Sequence, residues 1–182
     1  MRWRAIKGAR MEQRWDESWA MGEGRWAFVE GGALLVVGAL MAFGTSAGEW
    51  GELLLMLGVF WGICGVSAVV EVTRQPHLWS QQGLKVVLSL SSAAVVVTAA
   101  VSQVDLMAAA IFGGIQAMVV GGLEAGQALF GQSWRRIALG AINGAVGLLV
   151  LMGLAAGLGW VSLAMATVLM SGGLALMSAG FR

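Results

Sequence analysis

The sequence predicts an all-α integral membrane protein with six transmembrane helices, arranged as three tandem hairpin repeats. Three observations support this fold class: 58% of the 182 residues are hydrophobic, only 12% are charged, and the mean hydropathy is +0.80. A soluble domain carries about 25% charged residues. So few charges cannot cover a water-exposed surface, and the natural unit is the bilayer span of about 20 apolar residues.

Six stretches with almost no charge have the length of such a span. They are residues 26–43, 53–70, 86–101, 106–123, 137–158 and 160–181. We expect each to be a helix, because the hydrocarbon core offers the backbone no hydrogen-bond partner except itself. Short connections follow the first, third and fifth stretches and predict three antiparallel hairpins. The hairpins cover about 26–73, 79–130 and 134–182.

Basic residues indicate the orientation of the chain. All 11 lysines and arginines precede the first stretch, lie between the second and third or the fourth and fifth stretches, or end the chain. The turns inside the hairpins carry only acids, which are Glu49, Glu52 and Asp105. By the positive-inside rule, both termini are expected in the cytoplasm. The chain is therefore expected to cross a membrane that borders the cytoplasm, with multiple spans.

Residues 1–25 form a separate segment before the first span. Its tryptophans recur at multiples of four positions, with arginines between them. This pattern is typical of an amphipathic helix in the headgroup region, so we predict a cytoplasmic interfacial segment. A polar tail and a partner-docking segment are the alternatives. The predicted interfacial anchors, including the tryptophans that open each hairpin, are Trp3, Trp15, Trp19, Trp26, Trp79 and Trp134.

The three hairpins share an internal repeat. The second helix of each contains two glycines seven positions apart, in GVFWGICG, GIQAMVVG and GLALMSAG. Residues seven apart share a helix face, and small residues let backbones approach closely in lipid. A repeat of about 55 residues indicates internal triplication. The predicted helix-packing seam consists of Gly58, Gly65, Gly114, Gly121, Gly173 and Gly180.

This repeat resembles the HdeD family of small bacterial inner-membrane proteins, which have six spans in three repeated hairpins. The similarity covers residues 26–182 and rests on the opening tryptophans, the paired glycines, and the first helices GGALLVVGAL and GAINGAVGLL. The resemblance implies an association with acid resistance and no established biochemical activity. Family members commonly end the first helix of a hairpin with a proline, whereas the only proline here, Pro76, lies between two hairpins.

Residues that could carry chemistry are few. His77 is the single histidine, and we interpret it as a polar loop residue, with an axial haem or chlorin ligand as the alternative. No second histidine can complete a bis-histidine haem or a metal site. Serine and cysteine nucleophiles lack a base. We therefore predict no enzyme activity, no metal and no cofactor.

Three acids lie near or inside the predicted spans: Glu30, Glu71 and Glu124. Ionisable groups in membrane segments are costly and often mark a proton or ion path. All three should lie close to the cytoplasmic interface, where water or a basic partner is within reach. The partners expected for ion pairs are Arg25, Arg74 and Arg135. A proton or cation relay is the alternative role.

A second set of polar residues lies deeper in the predicted spans. Gln116 and Asn143 are near the middle of the fourth and fifth stretches, and Ser89, Ser92 and Thr98 occur in the third. We expect them to form hydrogen bonds between helices. A polar substrate path is the alternative, but so few polar residues make a wide aqueous pore implausible.

Three functions agree with these features. The preferred one is a non-catalytic HdeD-type membrane protein that stabilises the membrane or takes part in a stress response. The second is an accessory structural subunit of a larger respiratory or photosynthetic membrane complex. The third is a small proton-coupled transporter that uses the three acids. The expected partners are the lipid bilayer and other membrane subunits or a second copy, and nucleic acid is not among them.

Overall fold

The computed structural model describes residues 25–43, 49–74, 76, 79–131 and 134–180. Within these residues, six helices are long and apolar enough to cross a membrane, which confirms the predicted all-α six-span fold. The helices are α1 (Arg25–Phe43), α2 (Trp50–Arg74), α3 (Trp79–Ser102), α4 (Leu106–Gly131), α5 (Trp134–Ala156) and α6 (Leu158–Gly180). The predicted interfacial segment lies outside the described residues, except for Arg25.

Helix direction alternates, so the bundle has two different ends. The odd helices begin, and the even helices finish, at one end, which we call the basic end because every described lysine and arginine lies in that half. At the opposite end, the turn end, each hairpin makes its short turn. The half of the bundle next to each end is called the basic half and the turn half.

Four helices extend further at the basic end than the apolar stretches predict. α2 continues to Arg74, α3 begins at Trp79, α4 continues to Gly131 and α5 begins at Trp134. These added turns contain charged residues that ended the predicted spans. Five of these residues have partners of opposite charge inside the bundle, as described below.

The turn between α5 and α6 is a single residue, Gly157, shorter than the predicted three. Its φ is +90°, and its N–H donates to the carbonyl of Gly153 at 3.0 Å. A left-handed residue after the last helical turn closes a helix in this way, and glycine adopts it without steric cost. In the α3–α4 turn the same φ region is occupied by Gln103 and Asp105.

The six helices form a closed ring. Each helix contacts the next one along the chain, and α6 returns to contact α1. The most extensive contacts join consecutive hairpins, α2 with α3 and α4 with α5, rather than the two helices of one hairpin. The glycine pattern therefore packs each hairpin against the next.

Glycines bring the backbones together at these seams. A Cβ on Gly121 would lie 2.6 Å from the carbonyl oxygen of Gly140, and a Cβ on Gly173 would lie 2.6 Å from that of Gly31. No side chain fits in that space, since real Cβ contacts are longer than 3.0 Å. Small residues permit this approach in a bilayer, where no hydrophobic force drives helices together.

The third repeat is in a different register from the one that glycine spacing suggests. Gly114 and Gly121 pack against α5 in the same manner as Ala166 and Gly173 pack against α1. The sequence comparison instead aligned Gly173 with Gly114, one heptad away. An alanine at one seam position hides the equivalence, because alanine is nearly as small as glycine.

The interior of the turn half is filled by large apolar side chains. Those with no exposed surface include Leu54, Leu57, Val150, Val161 and Met165. Trp61 lies deeper along α2 and packs its ring on Gly113, where a Cβ would come within 2.8 Å of two ring carbons. Polar groups are few in this part of the described core: Ser162 on α6 is 8% exposed, and Glu52 Oε2 and the Trp61 indole nitrogen are buried without a described hydrogen-bond partner.

Candidate functional site: a buried ionic cluster

Charged side chains from five helices converge inside the basic half of the ring. Three are acids and three are bases, so their formal charges cancel. We call this group the ionic cluster. Its members are Glu30 on α1, Glu71 on α2, Lys85 on α3, Glu124 on α4, and Arg135 and Arg136 on α5. The three acids identified from sequence thus belong to one site.

Glu30 and Arg135 form the most complete ion pair in the cluster. Arg135 donates from Nε and from Nη2 to the two carboxylate oxygens of Glu30, each at 2.8 Å. Ser67 Oγ adds a third donor at 2.9 Å. Both charged residues are buried, with exposed fractions of 3% and 4%. Paired bonds of this kind fix the orientation of both groups and are about twice as strong as neutral hydrogen bonds.

Lys85 and Glu124 form a second buried pair, which joins α3 to α4. The Lys85 Nζ lies 2.5 Å from Glu124 Oε1. Asn143 on α5 donates from Nδ2 to the other carboxylate oxygen at 3.0 Å. Within the described part of the chain, no donor reaches Oδ1 of Asn143. The pair therefore links three helices and leaves one buried acceptor unused.

Glu71 lies between the two buried pairs and is held more loosely. Gln82 donates to its Oε1 at 3.1 Å, and Arg136 Nη2 lies 3.5 Å from the same oxygen. Arg135 Nη2 approaches its second oxygen only to 3.8 Å. The side chain is 17% exposed. Glu71 and Arg136 thus form the water-facing edge of the ionic cluster.

A small pocket lies between these groups. Its lining consists of Glu71, Gln82, Lys85, Glu124, Gln127, Arg135, Arg136 and Leu139. The space accommodates about one water molecule. Side chains from four helices surround it, and its wall is almost entirely polar. It is too small for an organic substrate.

Two of the acids that the sequence places near the cytoplasmic interface are shielded from water inside the bundle. Glu30 and Glu124 are 3% and 2% exposed, so neither reaches bulk water directly. Burial is sustained because each carboxylate has a basic partner in direct contact, which offsets several kcal/mol of desolvation per ion. Of the expected partners, Arg135 pairs with Glu30, whereas Arg74 instead lies over the Trp26 ring at 5.8 Å.

Sequence reasoning did not identify Lys85 as a buried group. The internal repeat could have predicted its burial. Glu30, Lys85 and Leu139 are each eight positions before a residue at the same point of a seam, namely Gly38, Ala93 and Gly147. Equivalent positions of a repeat face the same environment, so an acid and a base at two of them predict an ion pair or network near the ring centre.

The remaining candidate residues have the following places. Trp79 and Trp134 are the first residues of α3 and α5, 57% and 41% exposed at the basic end. Among the seam residues, Gly58 approaches Val97 and Gly65 approaches Leu90 on α3. The candidates outside the described residues are His77, Trp3, Trp15 and Trp19, and the surroundings of Gly180 are also not described.

No group of three metal-ligating side chains occurs among the described residues. The carboxylates of the ionic cluster instead face ammonium and guanidinium groups. The arrangement can hold helices in register and can hold one water molecule. It offers no activated nucleophile.

Comparison with known proteins gives no relative. No family model, curated protein or solved structure matches the chain. The resemblance to the HdeD family therefore stays a prediction, carried by the repeat and its glycines.

Proposed function

We propose that the protein is a non-catalytic, membrane-stabilising protein of the HdeD type, with its basic end in the cytoplasm of a bacterium. The observation that supports this role is the mutual compensation in the ionic cluster. Each charge has an opposite charge within 2.5–3.8 Å, and the space between them holds about one water molecule. The charged side chains of the ionic cluster pair with one another rather than with a ligand.

The turn half supports the same proposal. A solute that crosses the membrane needs polar groups or space along its whole path. Toward the turn end, most of the described interior consists of fully buried apolar side chains such as Leu57, Val150 and Met165. This largely apolar core favours a protein that acts through its shape and its contact with lipid.

Ion pairs across five helices give the ring a defined cross-section. Each buried pair fixes the distance and orientation between two helices, and breaking one exposes an uncompensated charge to a low-dielectric interior. Such a ring resists deformation when membrane composition or tension changes. A stress-related role, which the HdeD resemblance implies, fits this property.

The test is a leakage assay on membranes under stress. Wild-type cells and a deletion strain are exposed to acid or to a membrane-fluidising alcohol, and entry of a membrane-impermeant dye is measured. We expect the deletion strain to leak more, wild-type protein to restore the barrier, and Arg135→Met to restore it less than Gly32→Ala, a substitution in open space. Equal leakage with and without the protein contradicts the proposal.

A proton relay is the second candidate, because three carboxylates surround or adjoin one water-sized pocket at the basic end. Protons can pass between neighbouring carboxylates and water. Liposomes that contain the purified protein and a pH-sensitive dye measure this directly. Flux that is lost in the Glu71→Gln, Glu124→Gln double variant and kept in Glu49→Gln, an exposed acid at the turn end, supports the relay. Flux at the level of empty liposomes excludes it.

A further inference from the structure

Gln116 lies near the middle of the membrane. It comes ten residues after the start of α4, which is about 15 Å at 1.5 Å per residue. The hydrocarbon core is about 30 Å thick, so this side chain is near its midplane. The residue is only partly buried, in the groove between α3 and α4.

The amide of Gln116 uses only one of its two ends within the protein. Its Oε1 accepts hydrogen bonds from Ser92 Oγ and, at 3.5 Å, from Ser91 Oγ. Within the described residues, no hydrogen bond involves its Nε2, although an amide nitrogen carries two donors. Lipid tails offer no acceptor, and an unmet polar group in hydrocarbon costs several kcal/mol.

The surroundings of Gln116 are apolar and face outward. Phe112, Ile115 and Val119 on α4 are 37%, 51% and 46% exposed, and Val95 on α3 is 42% exposed. The amide thus lies within a largely apolar surface that faces outward.

The repeat does not require a polar residue at this position. By the register of the seams, Gln116 corresponds to Phe60 in the first hairpin and Val168 in the third. Both side chains are apolar, and both pack into the core of the ring. The glutamine is therefore a feature of the second hairpin alone, separate from the ionic cluster and from the internal packing of the ring.

We propose that the α3–α4 face around Gln116 binds a second copy of this chain, with the two Gln116 amides hydrogen-bonded across a twofold axis. An amide is both donor and acceptor, so it is complementary to itself, as an isologous interface requires. The Ser91 contact is at the limit of hydrogen-bond length, which leaves Oε1 able to accept from the partner copy. The exposed apolar side chains around Gln116 complete the contact.

The association is tested in liposomes at low protein density by counting subunits through photobleaching of a fused fluorophore. We expect wild-type dimers, and a loss of association on the order of tenfold in Gln116→Leu, since two membrane hydrogen bonds are removed. Ser171→Leu is the matched control, because this exposed hydroxyl already donates to Val168 within its own helix. A monomeric wild type, or equal association of wild type and Gln116→Leu, overturns the proposal.

Oxidative cross-linking gives an independent measurement of the same surface. Cys64, the only native cysteine, is buried and sets the background. We expect Val119→Cys, 46% exposed beside Gln116, to form a disulfide-linked homodimer in native membranes, and Leu174→Cys, 58% exposed on α6, to remain at background. Equal cross-linking at both positions, or capture of a different protein at position 119, contradicts a twofold contact between copies. An unchanged unfolding midpoint in Gln116→Leu shows that the variant folds.

Discussion

The two halves of the ring have different interiors, one charged and one mostly apolar. In the basic half, three acids and three bases from five helices face one another around a water-sized space. In the turn half, fully buried apolar side chains such as Leu54 and Met165 occupy most of the interior. Both halves belong to the same helices and share the same glycine seams, so only the interior side chains differ.

This difference separates two contributions to the fold. In the turn half, glycine seams and apolar packing are the contacts that hold the helices together. The ionic cluster adds directional contacts, which form only when the helices are in one arrangement. We therefore expect substitutions in the ionic cluster to lower the free energy of unfolding by an amount that depends on which charge is left without a partner. At the seams, the effect should depend on the space available to the added Cβ.

The largest effect is expected for Arg135→Met. Methionine fills the volume but leaves the buried carboxylate of Glu30 with Ser67 as its remaining described donor. Removing one member of a buried ion pair costs about 3–5 kcal/mol. The free energy of unfolding, measured by SDS titration in mixed micelles, should fall by this amount. Arg74→Met, at a residue exposed beside Trp26, is the control and should change it little.

A smaller effect is expected for Lys85→Met. Glu124 loses its charged partner but keeps the Asn143 donor at 3.0 Å. Glu124 is then a buried charge without its charged partner, which costs about 3–5 kcal/mol, and we expect a value at the lower end because one contact to the carboxylate is lost rather than two. The same SDS titration measures it. A loss equal to or larger than that of Arg135→Met would mean that the second pair, rather than the first, is the stronger one.

The seam that closes the ring is tested by two adjacent glycines on α1. A Cβ on Gly31 would lie 2.7 Å from the Gly173 carbonyl oxygen, whereas nothing lies within 4 Å of one on Gly32. Gly31→Ala should therefore destabilise the protein by about 1–3 kcal/mol, as overpacking does. Gly32→Ala should be neutral or stabilising, because alanine favours the helix. Equal stability of the two variants would indicate that α1 does not pack on α6 at this seam.

The smallest effect is expected for Asn143→Leu. The substitution removes one hydrogen bond to Glu124 and also a buried acceptor that has no described donor. Hydrogen bonds between membrane helices contribute about 0.6 kcal/mol on average and at most about 1.7. The change in unfolding free energy should lie at or below that range. A loss as large as that of Lys85→Met would show that Asn143 stabilises the Glu124 carboxylate as much as Lys85 does.

Much of the architecture can be predicted from sequence, because the bilayer restricts what a chain can do. Apolar length determines the number of spans, and short turns determine the pairing along the chain. The closure of α6 onto α1 could not be predicted, because Gly31 and Gly173 are distant in sequence and glycine spacing does not specify a partner. Alanine at position 166 also concealed the true register of the third repeat.

The candidate site was predictable in part. The acids Glu30, Glu71 and Glu124 stood out because charge is rare in spans, but their convergence depends on how five helices are arranged in space. Lys85 and Arg135 appeared to be interfacial flanking residues, since basic side chains usually end a span at the membrane surface. Their burial follows from the acids they meet, which no local pattern reveals.

A double-mutant cycle on Glu30 and Arg135 tests the central claim most directly. The single variants Glu30→Met and Arg135→Met each leave one buried charge without its partner, while the double variant leaves neither. We predict that the double variant is more stable than either single variant, so that the two losses are strongly non-additive in SDS titrations. Losses that simply add would contradict a compensated ion pair at the centre of the ionic cluster.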